Sequence, residues 1–242
     1  MTRSFNGALG RLEAAYQQLE SFNADVTHEL RTPLTNLIGH TQVALSRERS
    51  VPQLVEVLQS NLEDLERLRG IVNDMLFLAR ANLGERPQQL LRTSLAAEVH
   101  KAVEFLDFLL EEAQVSVRVQ GDAQAPIESA LFRRAVTNLL HNAIRHSEPG
   151  SEIVVELAAG DGQARVSVSN PGPEIPAEHL GRLFDRFYRV DAARTKSGES
   201  HGLGLAIIKA VAAMHAGNVF AASSDGITTV GFSVLIGVQD PA

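Results

Sequence analysis

Two long stretches of apolar residues at helical spacing constrain this chain most. In the first, Leu12, Tyr16, Leu19, Phe22, Val26, Leu30, Leu34 and Leu37 recur every three or four positions. This is one face of an amphipathic helix running from about Leu9 to Leu45. In the second, from about Gln53 to Ala81, Leu58, Leu62, Leu65, Leu68, Val72, Met75 and Ala79 recur at the spacing of a coiled-coil seam. The polar segment Ser46 to Pro52 joins them, so the pair predicts an antiparallel hairpin. Each helix carries more apolar surface than one hairpin hides, and pairing two hairpins into a four-helix bundle resolves the excess, so a homodimer is expected. The alternative is a monomeric bundle closed on the rest of the chain. Residues 84–93, with Gly84 and Pro87, argue against it because they read as a linker that releases the hairpin from the C-terminal part of the chain.

His28 lies off the apolar stripe. It follows Val26 by two positions, about 200° around the helix, which turns its ring toward solvent. Glu29 is its neighbour and Thr32 sits one turn on. An exposed imidazole beside an acid is suited to accept a phosphoryl group: one ring nitrogen attacks while the other, held by the carboxylate, carries the proton. Pro33 lacks an N–H and leaves the carbonyl of Glu29 without its helical partner, so the helix is expected to bend or loosen beside His28. A solvated His-Glu pair on a polar helix face is the alternative.

From Ser94 onward helices and strands alternate. A helix over Ser94 to Gln114, capped by Ser94 with Glu98 in its first turn, precedes helices at about Glu128 to His146 and Gly204 to His215. Strands are expected at Val115 to Val119, Ile153 to Leu157, Arg165 to Ser169, Val219 to Ser223 and Thr228 to Ile236. The pattern predicts a two-layer α/β sandwich with a mixed sheet covered by helices on one face. Three clusters in it carry chemistry. Asn138, Asn142 and Arg145 share a helix face, where amide oxygens suit Mg²⁺ and the guanidinium suits phosphate. The run "SNPGP", residues 169–173, ends a strand at a turn whose Gly172 allows close approach to a flat ligand. The run "SHGLGLA", residues 200–206, enters a helix through Gly202 and Gly204, leaving backbone N–H groups to face phosphate.

The run "FNADVTHELRTPLTNLI", residues 22–38, resembles the phosphoacceptor box of bacterial sensor histidine kinases, and the three later clusters resemble their ATP-binding domain, a fold shared with type II topoisomerases and Hsp90-type and MutL-type ATPases. The resemblance implies phosphorylation of His28 assisted by Glu29, and a phosphatase role for Thr32. It implies Mg²⁺ on Asn142, with Asn138 and Arg145 near the phosphates, Gly172 by the adenine, and Gly202, Leu203 and Gly204 around phosphate. Leu183 to Val190 resembles the family's aromatic segment, and Asp191 to His201 would be a lid over ATP. Two positions depart from the pattern: Asn170 stands where the family usually has an adenine-binding Asp, and His146 where Tyr usually flanks the base. The sequence "VSNPGPEIPAEHLGRLFDRFYRVD", residues 168–191, resembles the heavy-metal (copper, silver or cobalt-zinc-cadmium) sensor subgroup, in which the Asn form is familiar.

The implied organisation is a coiled-coil exit of a membrane-proximal linker domain (1–20), a dimerisation and phosphoacceptor domain (21–83), a linker (84–93) and a catalytic ATP-binding domain (94–242). Implied partners are a second copy and a response-regulator receiver domain, and the implied setting is the cytoplasmic part of a bacterial inner-membrane protein. Composition agrees. The 242 residues are 44% hydrophobic, enough for a packed core, and 22 basic against 29 acidic residues, with no long basic run, disfavour nucleic acid. The absence of cysteine removes disulfides and thiolate metal sites. A scaffold that binds nucleotide weakly, and an ATPase that uses water as acceptor, are the rival readings.

Overall fold

The computed structural model describes residues 26–190 and 201–237. The start of the first helix, the predicted coiled-coil exit and all but the last residue of the predicted lid lie outside the described residues. The chain divides into two compact units, Met1–Asp74 and Met75–Ala242.

In the first unit, helix α1 occupies residues 26–45 and continues through Pro33. Arg49 donates to the carbonyl of Val43 at 3.1 Å, closing the C-terminal end of α1. Helix α2, Val51–Asn82, whose last residues from Met75 on belong to the second unit, begins earlier than the spacing predicts. Pro52 falls in its first turn, where a missing N–H is harmless, and Gln53 reaches back to accept from the Ser50 N–H at 3.2 Å. The two helices lie antiparallel: Asn61 donates to Thr41 at 3.0 Å, and Ser60 meets His40 one residue away on each helix. Leu58, Leu62 and Leu65 remain 66%, 57% and 51% exposed, so the seam read from the sequence is uncovered in the single chain.

The second unit holds a five-stranded sheet in the order β2-β4-β5-β7-β6. Its strands are β2 (Ser116–Gln120), β4 (Glu152–Gly160), β5 (Gln163–Pro171), β6 (Val219–Ser224) and β7 (Ile227–Leu235). Only β2 and β4 run parallel, joined by a crossover through helix α5 (Ser129–His146); the other pairings are antiparallel. Alternation sends Ile153, Val155 and Leu157, Ala164, Val166 and Val168, and Val230, Phe232 and Val234 into the core. There they meet the apolar faces of α5 and α7 (Gly204–Met214), while α3 (Leu95–Phe105) packs on α5 and β2. Phe132 and Phe232, both fully buried, pack at 5.6 Å between ring centroids.

Three features differ from expectation. The last residues of the expected linker, 91–93, join Ser94 in strand β1 (Leu91–Ser94), which pairs antiparallel with an unforeseen β3 (Gln124–Ile127). Four-residue strands, one with a proline, carry too little alternation to be read from sequence. The helix expected over 94–114 breaks at Leu106 into α3 and α4 (Asp107–Ala113), although buried Leu95, Val99, Ala102, Leu106 and Leu110 keep their period across the break. Ser94 caps α3 as expected, accepting from the Ala97 N–H at 3.2 Å, and Glu98 lies in its first turn. It is buried and bridges Lys101 at 2.8 Å and Arg133 at 2.9 Å. A short helix α6, Ala177–Leu180, comes after the turn that ends β5.

Candidate functional site

The three clusters singled out in the sequence of the α/β unit converge at the C-terminal half of α5. Its apolar face, Phe132, Val136, Leu139, Leu140, Ala143 and Ile144, is buried against the sheet, which leaves Asn138, Asn142 and Arg145 half-buried along its flank. Asn138 is fixed by donation of its Nδ2 to the Arg134 carbonyl at 2.9 Å. Its Oδ1 is aimed at the entry of α7, where a Cβ on Gly204 would lie 2.7 Å from it. The two elements therefore touch through the one residue type that leaves room.

The entry itself is shaped by Gly202, whose φ of +65° is the left-handed conformation glycine tolerates. A Cβ there would stand 2.7 Å from the Phe187 backbone, and the Phe187 N–H donates to the Gly202 carbonyl at 2.9 Å. Phe187 also has a positive φ, 59°, which is uncommon for a bulky residue and places local strain at this junction. Leu203 contributes backbone only; its side chain is buried and its carbonyl starts the α7 ladder by accepting from Ile207 at 2.9 Å.

On the other side, the turn after β5 abuts the end of α5. A Cβ on Gly172 would lie 2.7 Å from the His146 carbonyl oxygen. Asn170 occupies the core face of β5, next in alternation after Ala164, Val166 and Val168, and is 3% exposed. Its Nδ2 donates to the Pro171 carbonyl at 3.0 Å. Across the ladder it pairs with Thr228, also buried, so two polar side chains stand side by side where the apolar floor ends. Thr228 is a residue that the sequence reading passed over; the same period-2 alternation through Val230, Phe232 and Val234 marks it. His146 presents part of its ring to solvent, but partial enclosure, reinforced by the positive charges of Arg145 and Arg189, pushes its pKa below the ordinary value and favours the neutral ring.

Among the described residues no three His, Cys, Asp or Glu side chains converge to hold a metal. The donor set is instead neutral amide oxygen on Asn142 and Asn138, which fits a hard divalent cation that keeps water and phosphate oxygens as its remaining ligands. A separate groove of about 400 Å³ lies on the outer face of the sheet beside Glu156, Arg165 and Phe220 and contains none of the predicted site residues.

In the first unit His28 and Thr32 are exposed and Glu29 is half-buried. The Thr32 hydroxyl turns back toward the His28 carbonyl of its own helix at 3.5 Å, a long contact that leaves it easily displaced.

The His Kinase A (phospho-acceptor) domain model matches residues 18–84, and the model of the histidine kinase-, DNA gyrase B- and HSP90-like ATPase matches residues 127–239. The sensor histidine kinase CusS of Escherichia coli O157:H7 is 45% identical over 222 residues, covering 91% of this chain and 46% of that protein. The chain belongs to the sensor histidine kinases. The sensor protein CzcS of Cupriavidus metallidurans is 42% identical over 226 residues, covering 93% of this chain and 48% of its own. The chain thus spans about half the length of the curated relatives it matches. The fold agrees with the Acinetobacter baumannii histidine kinase AdeS at a TM-score of 0.72 and 20% identity, over 87% of this chain and 98% of the other. It also agrees with the histidine kinase ThkA, solved in complex with response regulator protein TrrA, at 0.73 and 19% identity, over 95% and 65%. The chain thus carries a helical hairpin of the phospho-acceptor type, which bears His28, and an α/β sandwich of the ATPase class.

Proposed function

We propose that this chain is the kinase core of a dimeric sensor histidine kinase, which moves the terminal phosphoryl group of ATP onto His28 and from there to an aspartate of a response-regulator receiver domain. The observation that carries the reading is the closeness of Gly204 to Asn138 and of Gly172 to the end of α5, which gathers three separate clusters around one helix face.

His28 supplies the nucleophile through a ring nitrogen lone pair; the new nitrogen–phosphorus bond forms as the bond to the β–γ bridging oxygen breaks and ADP departs. Glu29 holds the proton on the other ring nitrogen and balances the charge that develops there. Asn142 would hold Mg²⁺, which when bound would neutralise charge on the phosphate oxygens, and Asn138 stands near the phosphates. Arg145 and the backbone N–H groups entering α7 through Gly202, Leu203 and Gly204 orient the phosphates. Asn170, Gly172 and the neutral ring of His146 receive the base. Thr32 orients water in dephosphorylation of the regulator.

The uncovered seam of Leu58, Leu62 and Leu65 supports dimerisation into a four-helix bundle, and the ThkA complex is a precedent for a response-regulator partner. No helix among the described residues is long and apolar enough to cross a membrane. In our reading the chain is the cytoplasmic part of an inner-membrane protein, divided at 1–20, 21–83, 84–93 and 94–242, whose stimulus is a heavy metal acting on a segment outside this chain. Calorimetric titration with ATP tests the site. Binding that requires Mg²⁺ and is lost in a folded Asn142→Ala protein is expected, and Mg²⁺-dependent binding retained in that variant would remove the metal assignment.

A further inference from the structure

The turn that receives the base is held from outside the site. Pro171 and Pro173 have no N–H, so few backbone donors are left to fix residues 170–175. Two of them go to the β6–β7 hairpin. The Gly172 N–H donates to the Gly226 carbonyl at 2.9 Å, and the Ile175 N–H donates to Ser223 Oγ at 2.9 Å. Ser223 Oγ is in turn 2.9 Å from Thr228 Oγ1, and Thr228 is buried opposite Asn170 in the β5–β7 ladder. The Asn170 carboxamide is committed to the first proline, its Nδ2 donating to the Pro171 carbonyl at 3.0 Å. One hydroxyl pair thus ties the far end of the turn to the strand residue that flanks its near end.

We infer that Ser223, acting with Thr228, is a positioning residue for nucleotide binding: its hydroxyl fixes Ile175 and through it the placement of Asn170 and Gly172 against the base. The inference rests on the reading of residues 170–173 as the base site. The hydroxyl contacts of Ser223 run to Ile175 and Thr228, on the side of the base turn. Its loss therefore acts on the affinity for ATP and leaves the chemical step alone.

The experiment compares wild type, Ser223→Ala, Ser223→Thr and Thr228→Val in calorimetric ATP binding and in autophosphorylation as a function of ATP concentration. Removal of one anchoring hydrogen bond is expected to weaken ATP binding and raise KM by about three- to tenfold, with kcat at saturating ATP within about twofold of wild type. Ser223→Thr, which keeps the hydroxyl, restores the affinity. Thr228→Val reproduces part of the defect, and adding Ser223→Ala to it produces less than the product of the two separate effects, because both break one pair. Wild-type affinity and KM in Ser223→Ala would overturn the inference, as would a fall in kcat with unchanged KM, or no recovery in Ser223→Thr. Should wild type itself fail to bind ATP, the nucleotide reading fails and this inference with it.

Discussion

Replacing Gly172 by alanine sets two effects of opposite sign against each other. The glycine does not sit at positive φ, so alanine can adopt its backbone conformation. The unfolded chain then loses freedom, which stabilises the fold by about 0.4–1 kcal/mol. Against that, the added Cβ meets the His146 carbonyl oxygen at 2.7 Å, inside the ordinary contact range of 3.4–4 Å. That oxygen belongs to the backbone at the end of α5 and cannot rotate aside. Relief requires the turn to move by a few tenths of an ångström or more while the Gly172 N–H keeps its 2.9 Å bond to the Gly226 carbonyl. Overpacking of this kind costs about 1–3 kcal/mol, so the net effect is a destabilisation of about 1–2 kcal/mol. For a domain of this size that is a fall in Tm of about 2–8 °C. Thermal unfolding with and without saturating ATP·Mg²⁺ measures it, and the ATP-induced rise in Tm should shrink because the turn has moved from the base. Gly160→Ala is the control: no atom lies within 4 Å of a Cβ there and its φ is not positive, so only the stabilising loss of unfolded-state freedom, about 0.4–1 kcal/mol, remains; Tm rises slightly and the ATP response stays at wild-type level. Gly172→Ala with unchanged or raised Tm and an undiminished ATP shift would refute the contact between this turn and α5.

Two further outcomes concern buried polar groups. Asn170→Asp gains a charged acceptor for the adenine amino group, worth about 1 kcal/mol, but replaces the donor that holds Pro171 with an oxygen facing an oxygen in a buried position. The variant should unfold at lower temperature without nucleotide and prefer ATP over GTP more sharply; wild-type values of both would place Asn170 away from the base. His215 is buried, with Nδ1 donating to the Val211 carbonyl at 2.8 Å and Nε2 accepting from the Glu128 N–H at 3.1 Å, which fixes a neutral ring. Burial outweighs the Val211 hydrogen bond and the charge of Glu128 and holds its pKa below the ordinary 6.5. The unfolded chain therefore takes up a proton near pH 6.5 that the folded chain refuses, and stability falls as pH drops through that value, levelling below the folded pKa. Denaturant melts from pH 7.5 to 5 should show a shallower decline in His215→Gln than in wild type; equal slopes would contradict the buried neutral ring.

The features legible in the sequence were those with a period. The leucine seams gave the hairpin, the spacing of Asn138, Asn142 and Arg145 gave a polar flank on α5, and alternation gave the strands of the main sheet. Short elements and long-range pairs stayed hidden. Strands β1 and β3 are too brief to alternate, and the break at Leu106 leaves the apolar period intact. The sequence places Glu98 in the first turn of α3 but does not show its buried ion pair, because its partner Arg133 lies 35 positions away. The same holds at the site: the turn 170–173 was visible from its glycine and prolines, whereas its anchor at Ser223 depends on a contact 48 residues distant.

The central claim, that His28 accepts phosphate from ATP bound in the α/β unit, is tested most directly by incubation with γ-labelled ATP and Mg²⁺ and then acid and base treatment of the labelled protein. An acid-labile, base-stable label, absent from a folded His28→Ala protein that still binds ATP, is the predicted result. Label retained in His28→Ala, or an acid-stable, base-labile label on the wild type, would contradict it.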